Sequence, residues 1–292
     1  MIIKADRIKK KLGKTMALND LSFEVKEGIV GLVGRNGAGK STLLRALSGV
    51  YSLDGGTLTC DDVPISLQKP PKGTFFLPDD PYYPSRLTLL GLYEFLSLYY
   101  KLDKEALLSL AGSLGLPTDK FISSFSKGMR RQAYLAAALS VDARLLLLDE
   151  AFDGLDPLAL EKVKGMIIDR YAGQDKIVII ASHNIVSLER LSDTFLLIDG
   201  GKLSENGSSE EIAKGLRKIQ VVFALPASES DLEALGIDVI GYRAQGAMVE
   251  FMTHSEDAIE LIRKRFAPPY INLAPLSSTE IIAYAMEEGE KK

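Results

Sequence analysis

The chain contains little of three residue types: one cysteine, two histidines and no tryptophan among 292 residues. The single cysteine, Cys60, excludes an internal disulfide framework and is typical of proteins in a reducing compartment. No apolar run approaches the roughly 20 residues that a membrane helix needs. The N-terminal segment has none of the apolar character of a secretory signal. We therefore expect a chain that does not itself span a membrane.

Charge is also unremarkable, with a formal net charge of -4 and 25% charged residues. An acidic balance argues against a broad nucleic-acid-binding surface, and we expect no nucleic acid partner. A local basic run near the start is predicted to be the solvated face of an edge hairpin, because lysines protect exposed strand edges. Its members are Lys4, Arg7, Lys9, Lys10, Lys11 and Lys14.

Apolar runs alternate with helical patterns over the first two thirds of the chain. Short continuous apolar runs at 28–33, 144–149 and 176–181 predict central parallel strands, and 40–50 has helical periodicity. Residues 2–9 and 21–26 alternate like strands of an edge sheet, and about 85–140 is mostly helical. This order predicts an α/β core with helices on both faces and an inserted helical subdomain.

The pattern changes near Arg217. We predict strands at 220–225, 239–243 and 247–252, helices at 229–235 and 256–266, then a strand and a last helix at 279–288. Gly246 falls where the hairpin must turn. The predicted domains are therefore residues 1–215 and a small α+β accessory module, residues 216–292, with a regulatory or dimer-stabilising role.

A phosphate-binding loop follows the first predicted core strand and opens a helix. Residues 34–41 match the pattern G-x-x-x-x-G-K-[ST] in full. Glycines let the backbone turn its N–H groups onto phosphates, Lys40 reaches the terminal phosphates, and the Ser41 hydroxyl can ligate Mg²⁺. The predicted phosphate contacts are Gly34, Asn36, Gly37, Ala38, Gly39, Lys40, Ser41 and Thr42.

Two adjacent acids end the predicted strand at 144–149. The carboxyl end of a parallel strand is where open α/β sheets bind ligands. Asp149 can hold Mg²⁺ through water, and Glu150 can orient or deprotonate an attacking water. Behind a phosphate loop, this pair predicts nucleotide hydrolysis.

Three further segments follow in a characteristic order: Ser126-Lys127-Gly128-Met129, Gly154-Leu155-Asp156 and Ser182-His183-Asn184. With the phosphate loop and the paired acids, they make residues 1–215 resemble the ATP-binding cassette (ABC) proteins, and the Ser-Lys-Gly-Met form resembles ATPases paired with exporter-type permeases. The resemblance implies a P-loop (RecA-like) core that uses ATP and Mg²⁺. It also implies Glu150, His183 and Lys40 as catalytic residues. The other histidine, His254, has no such context and is assigned no role.

In that family, Ser126, Lys127 and Gly128 would bind the γ-phosphate held by the other subunit, and the segment ending at Asp156 would cross the dimer interface. Two positions depart from the family pattern. Leu12 stands where an aromatic ring usually stacks on adenine, although Tyr51 could supply such a ring. Asp79 replaces the usual glutamine that senses the γ-phosphate and Mg²⁺, and keeps an oxygen ligand for the metal.

Function follows from the resemblance as an expectation. The chain would be the ATPase subunit of a transporter, peripheral at the cytoplasmic face of the membrane. It would pair with a second copy or a homologue and drive a separate permease, with export of peptides, drugs or lipid-linked molecules favoured. Two alternatives stay open: a catalytically weak regulatory cassette in a heterodimer, and a soluble cassette ATPase of translation or DNA repair.

Aromatic residues are concentrated in 75–100, where an even spread would place about two. This segment would adjoin the permease, and large aromatics suit an anchor pocket; filling of the subdomain core is the alternative. The eight are Phe75, Phe76, Tyr82, Tyr83, Tyr93, Phe95, Tyr99 and Tyr100.

Overall fold

A computed structural model describes residues 1–84, 86–225 and 227–290. Ser85, near which the predicted helical segment begins, and the terminal Lys291 and Lys292 of the predicted C-terminal module lie outside the described residues. The chain divides into two compact units, Met1–Ser208 with Ala285–Lys292, and Ser209–Tyr284.

The first unit contains ten strands and six helices among its described residues. The strands are β1 (Ile2–Leu12), β2 (Thr15–Lys26), β3 (Gly28–Val33), β4 (Gly55–Cys60), β5 (Val63–Pro64), β6 (Thr74–Leu77), β7 (Leu145–Asp149), β8 (Ile177–Ser182), β9 (Thr194–Asp199) and β10 (Lys202–Gly207). The helices are α1 (Lys40–Leu47), α2 (Leu89–Ser97), α3 (Lys104–Ser113), α4 (Lys127–Ser140), α5 (Pro157–Tyr171) and α6 (Ile185–Leu188).

A six-stranded sheet forms the centre of this unit, in the order β10-β9-β3-β8-β7-β6. The pairs from β9 to β6 are parallel, and β10 is antiparallel to β9. Every residue of β7 and β8 is buried, as their continuous apolar sequences predict. These strands and α1 pack with the antiparallel sheet in one hydrophobic core. The predicted α/β class is confirmed.

Of the predicted edge hairpin, β2 lies at the edge of its sheet and β1 does not. Four antiparallel strands pair in the order β2-β1-β4-β5, so β1 lies inside its sheet. Ile3 and Ile8 are both fully buried, because an irregularity between Ala5 and Ile8 shifts the alternation by one residue, while Lys4, Lys9 and Lys11 are exposed. Several of those lysines form exposed ion pairs, such as Lys9 with Asp20 at 3.4 Å. The basic run is therefore a solvated face, as predicted, on an interior strand.

Helices α2, α3 and α4 occupy the predicted helical segment. Side chains cap all three N-termini: Thr88, Asp103 and Ser126 each accept a hydrogen bond from a backbone N–H in the first turn. The chain turns just after α3, where Gly115 adopts φ +68°. Between α3 and α4 a 3-10 turn spans Ile122–Ser124.

After a short helix that was not predicted, the second unit has the chain order predicted from the sequence. Its elements are α7 (Ser209–Ala213), β11 (Arg217–Val222), α8 (Glu229–Glu233), β12 (Ile240–Gln245), β13 (Met248–Thr253), α9 (Ala258–Phe266), β14 (Tyr270–Ala274) and the start of α10 (Ser278–Glu290). The antiparallel order β12-β13-β11-β14 makes β11 to β14 a β-α-β-β-α-β, ferredoxin-like arrangement. Gly246 turns the β12–β13 hairpin at φ +63°.

This unit has its own core. Ile219 and Val221 of β11 and Phe251 of β13 are buried on one sheet face together with Ile262 of α9.

Of all the helices within the described ranges, none combines the length and apolar character that a membrane span requires.

Candidate functional site

Four neighbouring parallel strands deliver the predicted site residues to one edge of the sheet. The phosphate loop leaves β3, His183 follows β8, Glu150 follows β7 and Asp79 comes two residues after β6. Since β3, β8, β7 and β6 are adjacent in that order, their carboxyl ends bring together segments that are distant in sequence.

The phosphate loop requires glycine at particular positions. A Cβ on Gly34 would lie 2.3 Å from the carbonyl oxygen of Ile198, and one on Gly39 2.4 Å from that of Ala17. Gly39 also adopts φ +111° as the N-cap of α1, and Gly37 adopts φ +83°. The loop is therefore a close backbone cradle at a helix N-terminus, which suits a phosphate group.

Lys40 is folded into this loop. Its ammonium donates to the carbonyl of Gly34 at 2.7 Å and to that of Arg35 at 3.3 Å. It also lies 3.1 Å from Oε1 of Glu150, and its side chain is only 5% exposed. A buried cation held by carbonyls and one carboxylate is positioned to meet anionic phosphate oxygens.

Ser41 and Asp149 offer oxygen ligands for a metal ion. The Ser41 hydroxyl donates to Oδ1 of Asp149 at 3.1 Å. Burial raises the pKa of Asp149; the Ser41 hydrogen bond acts in the opposite direction, and the charges of Glu150 and Asp79 add to the rise. A carboxylate and a hydroxyl are ligands that Mg²⁺ uses, and a dication would offset the cost of the buried charge. The donor set fits Mg²⁺.

Glu150 has an unusual backbone conformation, φ +45°. Its N–H donates to the carbonyl of Ala181 at 3.0 Å, so the strand pairing continues to this residue. Its carboxylate Oε2 lies 2.9 Å from Nδ1 of His183 and accepts from the backbone N–H of His183 at 3.3 Å. Positive φ in a residue other than glycine is strained and is frequent at functional sites.

A cavity of about 420 Å³ collects most of the predicted nucleotide contacts. Leu12, at the end of β1 and 38% exposed, lies in its wall. Thr15 and Ala17 of β2, which were not expected there, also line it. The full lining is Leu12, Thr15, Ala17, Asn36, Gly37, Ala38, Gly39, Lys40, Ser41, Thr42, Asp79 and Glu150.

Asp79 has a partner that sequence analysis did not find. Its Oδ1 accepts from Nη2 of Arg131 in α4 at 2.6 Å. The arginine side chain is 7% exposed and that of Asp79 is 59% exposed. The available signal was an arginine among the alanines of α4, since an arginine that such a helix buries needs a partner, but the sequence does not indicate which residue that partner is.

Two of the remaining predicted contacts, Ser126 and Asp156, are helix caps. Ser126 accepts from the N–H of Met129 at the start of α4, and Asp156 accepts from that of Ala159 at the start of α5. A Cβ on Gly128 would lie 3.0 Å from the carbonyl oxygen of Gly154, so these two segments approach closely. Among the residues described, the lining of the 420 Å³ cavity does not include five predicted contacts: Gly34, Ser126, Lys127, Gly128 and Asp156.

Lys127 lines a different cavity of about 340 Å³. This second cavity also borders Asp79 and Arg131, so the ion pair lies between the two. Its full lining is Asp79, Asp80, Pro81, Lys127, Arg130, Arg131 and Tyr134.

Comparisons with known proteins all point to the same family. Residues 18–153 match the family model described as ABC transporter. The chain is 29% identical to the ABC transporter ATP-binding protein YtrB of Bacillus subtilis, over 76% of this chain and 77% of that protein. It is 30% identical to the Nod factor export ATP-binding protein I of Rhizobium sp. (strain N33), over 78% of each chain.

A solved structure shows the same fold. The ATP-binding subunit of an ABC transporter superposes with a TM-score of 0.66 at 24% identity, covering 73% of this chain and 92% of the other. Together with the phosphate loop, the paired acids and the histidine beside them, these relatives show that the chain belongs to the ABC transporter family of ATP-binding proteins.

Proposed function

We propose that this chain is the ATP-hydrolysing subunit of an ABC exporter. The observation that carries the proposal is the contact between Glu150 and His183 beside Lys40, at the carboxyl ends of adjacent parallel strands. It supports an active cassette over a catalytically weak regulatory one, because a general base and its orienting partner are both in place.

The proposed reaction is attack of water on the γ-phosphorus of ATP. Glu150 orients the water and accepts its proton, while the bond from the γ-phosphorus to the bridging oxygen breaks and ADP leaves. Lys40 and the loop N–H groups stabilise the phosphate charge. Bound Mg²⁺, held by Ser41 and through water by Asp149, would neutralise charge on the β- and γ-phosphates.

Two cassettes, either two copies or this chain and a homologue, would enclose two ATP molecules. Ser126, Lys127 and Gly128 of one cassette would contact the γ-phosphate held by the other, and Asp156 would lie at the interface. The exposure of Ser126, Lys127 and Asp156 supports this assignment. ATP then favours the closed dimer because the γ-phosphate makes contacts that ADP lacks.

A separate permease would hold the cassette at the cytoplasmic face of the membrane. Exposed apolar side chains on both sides of α2 support the docking: Tyr82 in the loop before it is 95% exposed, and Leu98 and Tyr99 directly after it are each 73% exposed. By contrast, Phe75 is buried and packs edge-on against Tyr100 at 5.0 Å between ring centroids. The aromatics of 75–100 thus divide between core and surface. The Nod factor export relative supports the export direction.

Two measurements test the proposal. Purified protein should release phosphate from ATP in a Mg²⁺-dependent manner, and Lys40→Ala should not. Affinity capture from detergent-solubilised membranes should recover an integral membrane protein, and Tyr99→Ala with Leu98→Ala should reduce its yield. Val63→Ala, an exposed apolar residue of β5, is the control for surface hydrophobicity. Capture without any membrane protein, or wild-type turnover no higher than that of Lys40→Ala, would overturn the proposal.

A further inference from the structure

The buried arginine of α4 has one strong partner. Nη2 of Arg131 donates to Oδ1 of Asp79 at 2.6 Å, across 52 positions of sequence. Nη1 of Arg131 is buried and finds no hydrogen-bond partner among the described residues. The compensation of this guanidinium charge therefore depends heavily on Asp79.

Breaking this ion pair costs more stability through Arg131 than through Asp79. Removing one partner of a buried ion pair leaves an uncompensated charge, which is far more destabilising than loss of an exposed pair. Arg131 is the buried member, whereas the Asp79 side chain is mostly exposed. The pair should therefore persist when a nucleotide enters the neighbouring cavity.

Asp79 also borders the proposed nucleotide site. It lies in the wall of the 420 Å³ cavity together with Lys40 and Ser41. A carboxylate at this place repels phosphate oxygens unless a cation compensates its charge. The compensating cation in this structure is Arg131.

We propose that Arg131 is a positioning residue that holds Asp79 by one carboxylate oxygen, leaves the other oxygen available, and neutralises the carboxylate toward the phosphates of the nucleotide. The inference rests on the proposed nucleotide site. Since α4 begins at Lys127, directly after Ser126, the pair also ties the loop beside the nucleotide to the helix predicted to contact the opposite nucleotide.

The test uses nucleotide binding without Mg²⁺ and unfolding without nucleotide, so that no turnover is required. Arg131→Met keeps the length of the side chain and removes its charge. We expect it to weaken binding of ATP in EDTA by about threefold to tenfold at low ionic strength, and by less at high salt. Adding Asp79→Asn to Arg131→Met should restore affinity to near wild type.

Two further variants keep the proposal testable if Arg131→Met folds poorly. Arg131→Lys retains the charge and should bind metal-free ATP about as well as wild type. Asp79→Asn alone should lower the melting temperature, because Arg131 is left unpaired, without weakening metal-free binding. Arg144→Met, an arginine 3.0 Å from Asp175 just before the start of β7, is the matched control and should leave binding unchanged.

The outcomes separate the two proposals. Equal affinity of Arg131→Met and wild type, or failure of Asp79→Asn to restore it, would overturn the positioning role of Arg131. No nucleotide binding by wild type would overturn the proposed function and this inference with it. In that case, melting temperatures of the two single variants and the double variant would still show whether the ion pair itself exists.

Discussion

Nδ1 of His183 lies 2.9 Å from Oε2 of Glu150, at the ends of the adjacent parallel strands β8 and β7. An ionised carboxylate can only accept hydrogen bonds, so Nδ1 carries the proton and donates it. The backbone N–H of His183 donates to the same oxygen at 3.3 Å. Both hydrogen bonds hold the oxygen Oε2 of the carboxylate, and its other oxygen, Oε1, lies beside Lys40.

Glu150→Gln should lower ATP turnover by at least about 100-fold, because an amide cannot take the proton from water. ATP binding should remain, since Lys40 loses only a carboxylate neighbour. Phosphate release and equilibrium binding of labelled ATP measure the two effects separately. Glu189→Gln, the same change just after α6, is the control and should keep wild-type turnover. Turnover of Glu150→Gln close to wild type would show that another group is the base.

Leu12→Tyr should tighten ATP binding by tenfold at most, about 1.4 kcal/mol, because a ring at the cavity wall can stack on the base. Wild type should discriminate weakly between ATP and GTP, since Leu12 offers apolar contact without a π face. Binding of both nucleotides to both proteins is the measurement, and Leu12→Met, apolar and without a ring, is the control.

The alternative ring for stacking on the base, that of Tyr51, already contacts two basic side chains. Its hydroxyl accepts from Nη1 of Arg45 at 3.3 Å, and Nζ of Lys10 lies 5.9 Å from the ring centroid. Strong adenine selectivity in wild type that Leu12→Tyr leaves unchanged would place the base elsewhere, and Tyr51→Leu would then test this ring.

A chain ending at Ser208 lacks Ser209–Tyr284 and also Ala285–Lys292, the terminal segment that groups with the first unit. It should still bind ATP with an affinity close to that of the full-length protein. All the predicted nucleotide, metal and catalytic residues precede that position, and Ser209–Tyr284 form a compact unit with their own core. Circular dichroism would establish folding and calorimetry would measure binding. If the shortened chain folds but binds no nucleotide, the proposed division of labour between the units is wrong.

Asp238→Asn should destabilise the second unit at neutral pH. Partial burial acts to raise the pKa of Asp238, but hydrogen bonds from Ser255, Thr253 and the backbone N–H of His254 outweigh it and hold the pKa well below its usual range. An amide nitrogen cannot accept these bonds. We expect a loss of roughly 1–2 kcal/mol, limited by solvent screening because the side chain is 43% exposed.

The pH dependence has a definite sign. A depressed folded-state pKa gives stability that is complete above the usual Asp pKa of about 4 and is lost as the pH falls through the folded pKa. The difference between wild type and Asp238→Asn should therefore be largest above about pH 5 and shrink toward acid. Hydrogen exchange of the β13 amides reports it. Asp257→Asn is the control, since Asp257 caps α9 without a side-chain hydrogen bond. A difference that does not change with pH would contradict this account.

The local sequence was sufficient to predict a structural feature wherever the physical constraint on that feature was itself local. The glycines and Lys40 of the phosphate loop, the apolar runs that became β7 and β8, and the elements of the second unit from β11 onward were predicted. A strand buried on both faces needs a continuous apolar run, and a loop that turns its N–H groups inward needs glycine at fixed spacings.

Contacts between distant segments depended on the tertiary structure. The position of β1 inside its sheet results from its pairing with β4, and alternation along β1 is the same for an edge or an interior strand. Likewise, Asp79 and Arg131 are 52 positions apart, and only the packing of α4 beside β6 brings a buried guanidinium to that carboxylate. Charge pairing acts through space, and the spacing of residues along the chain carries no record of it.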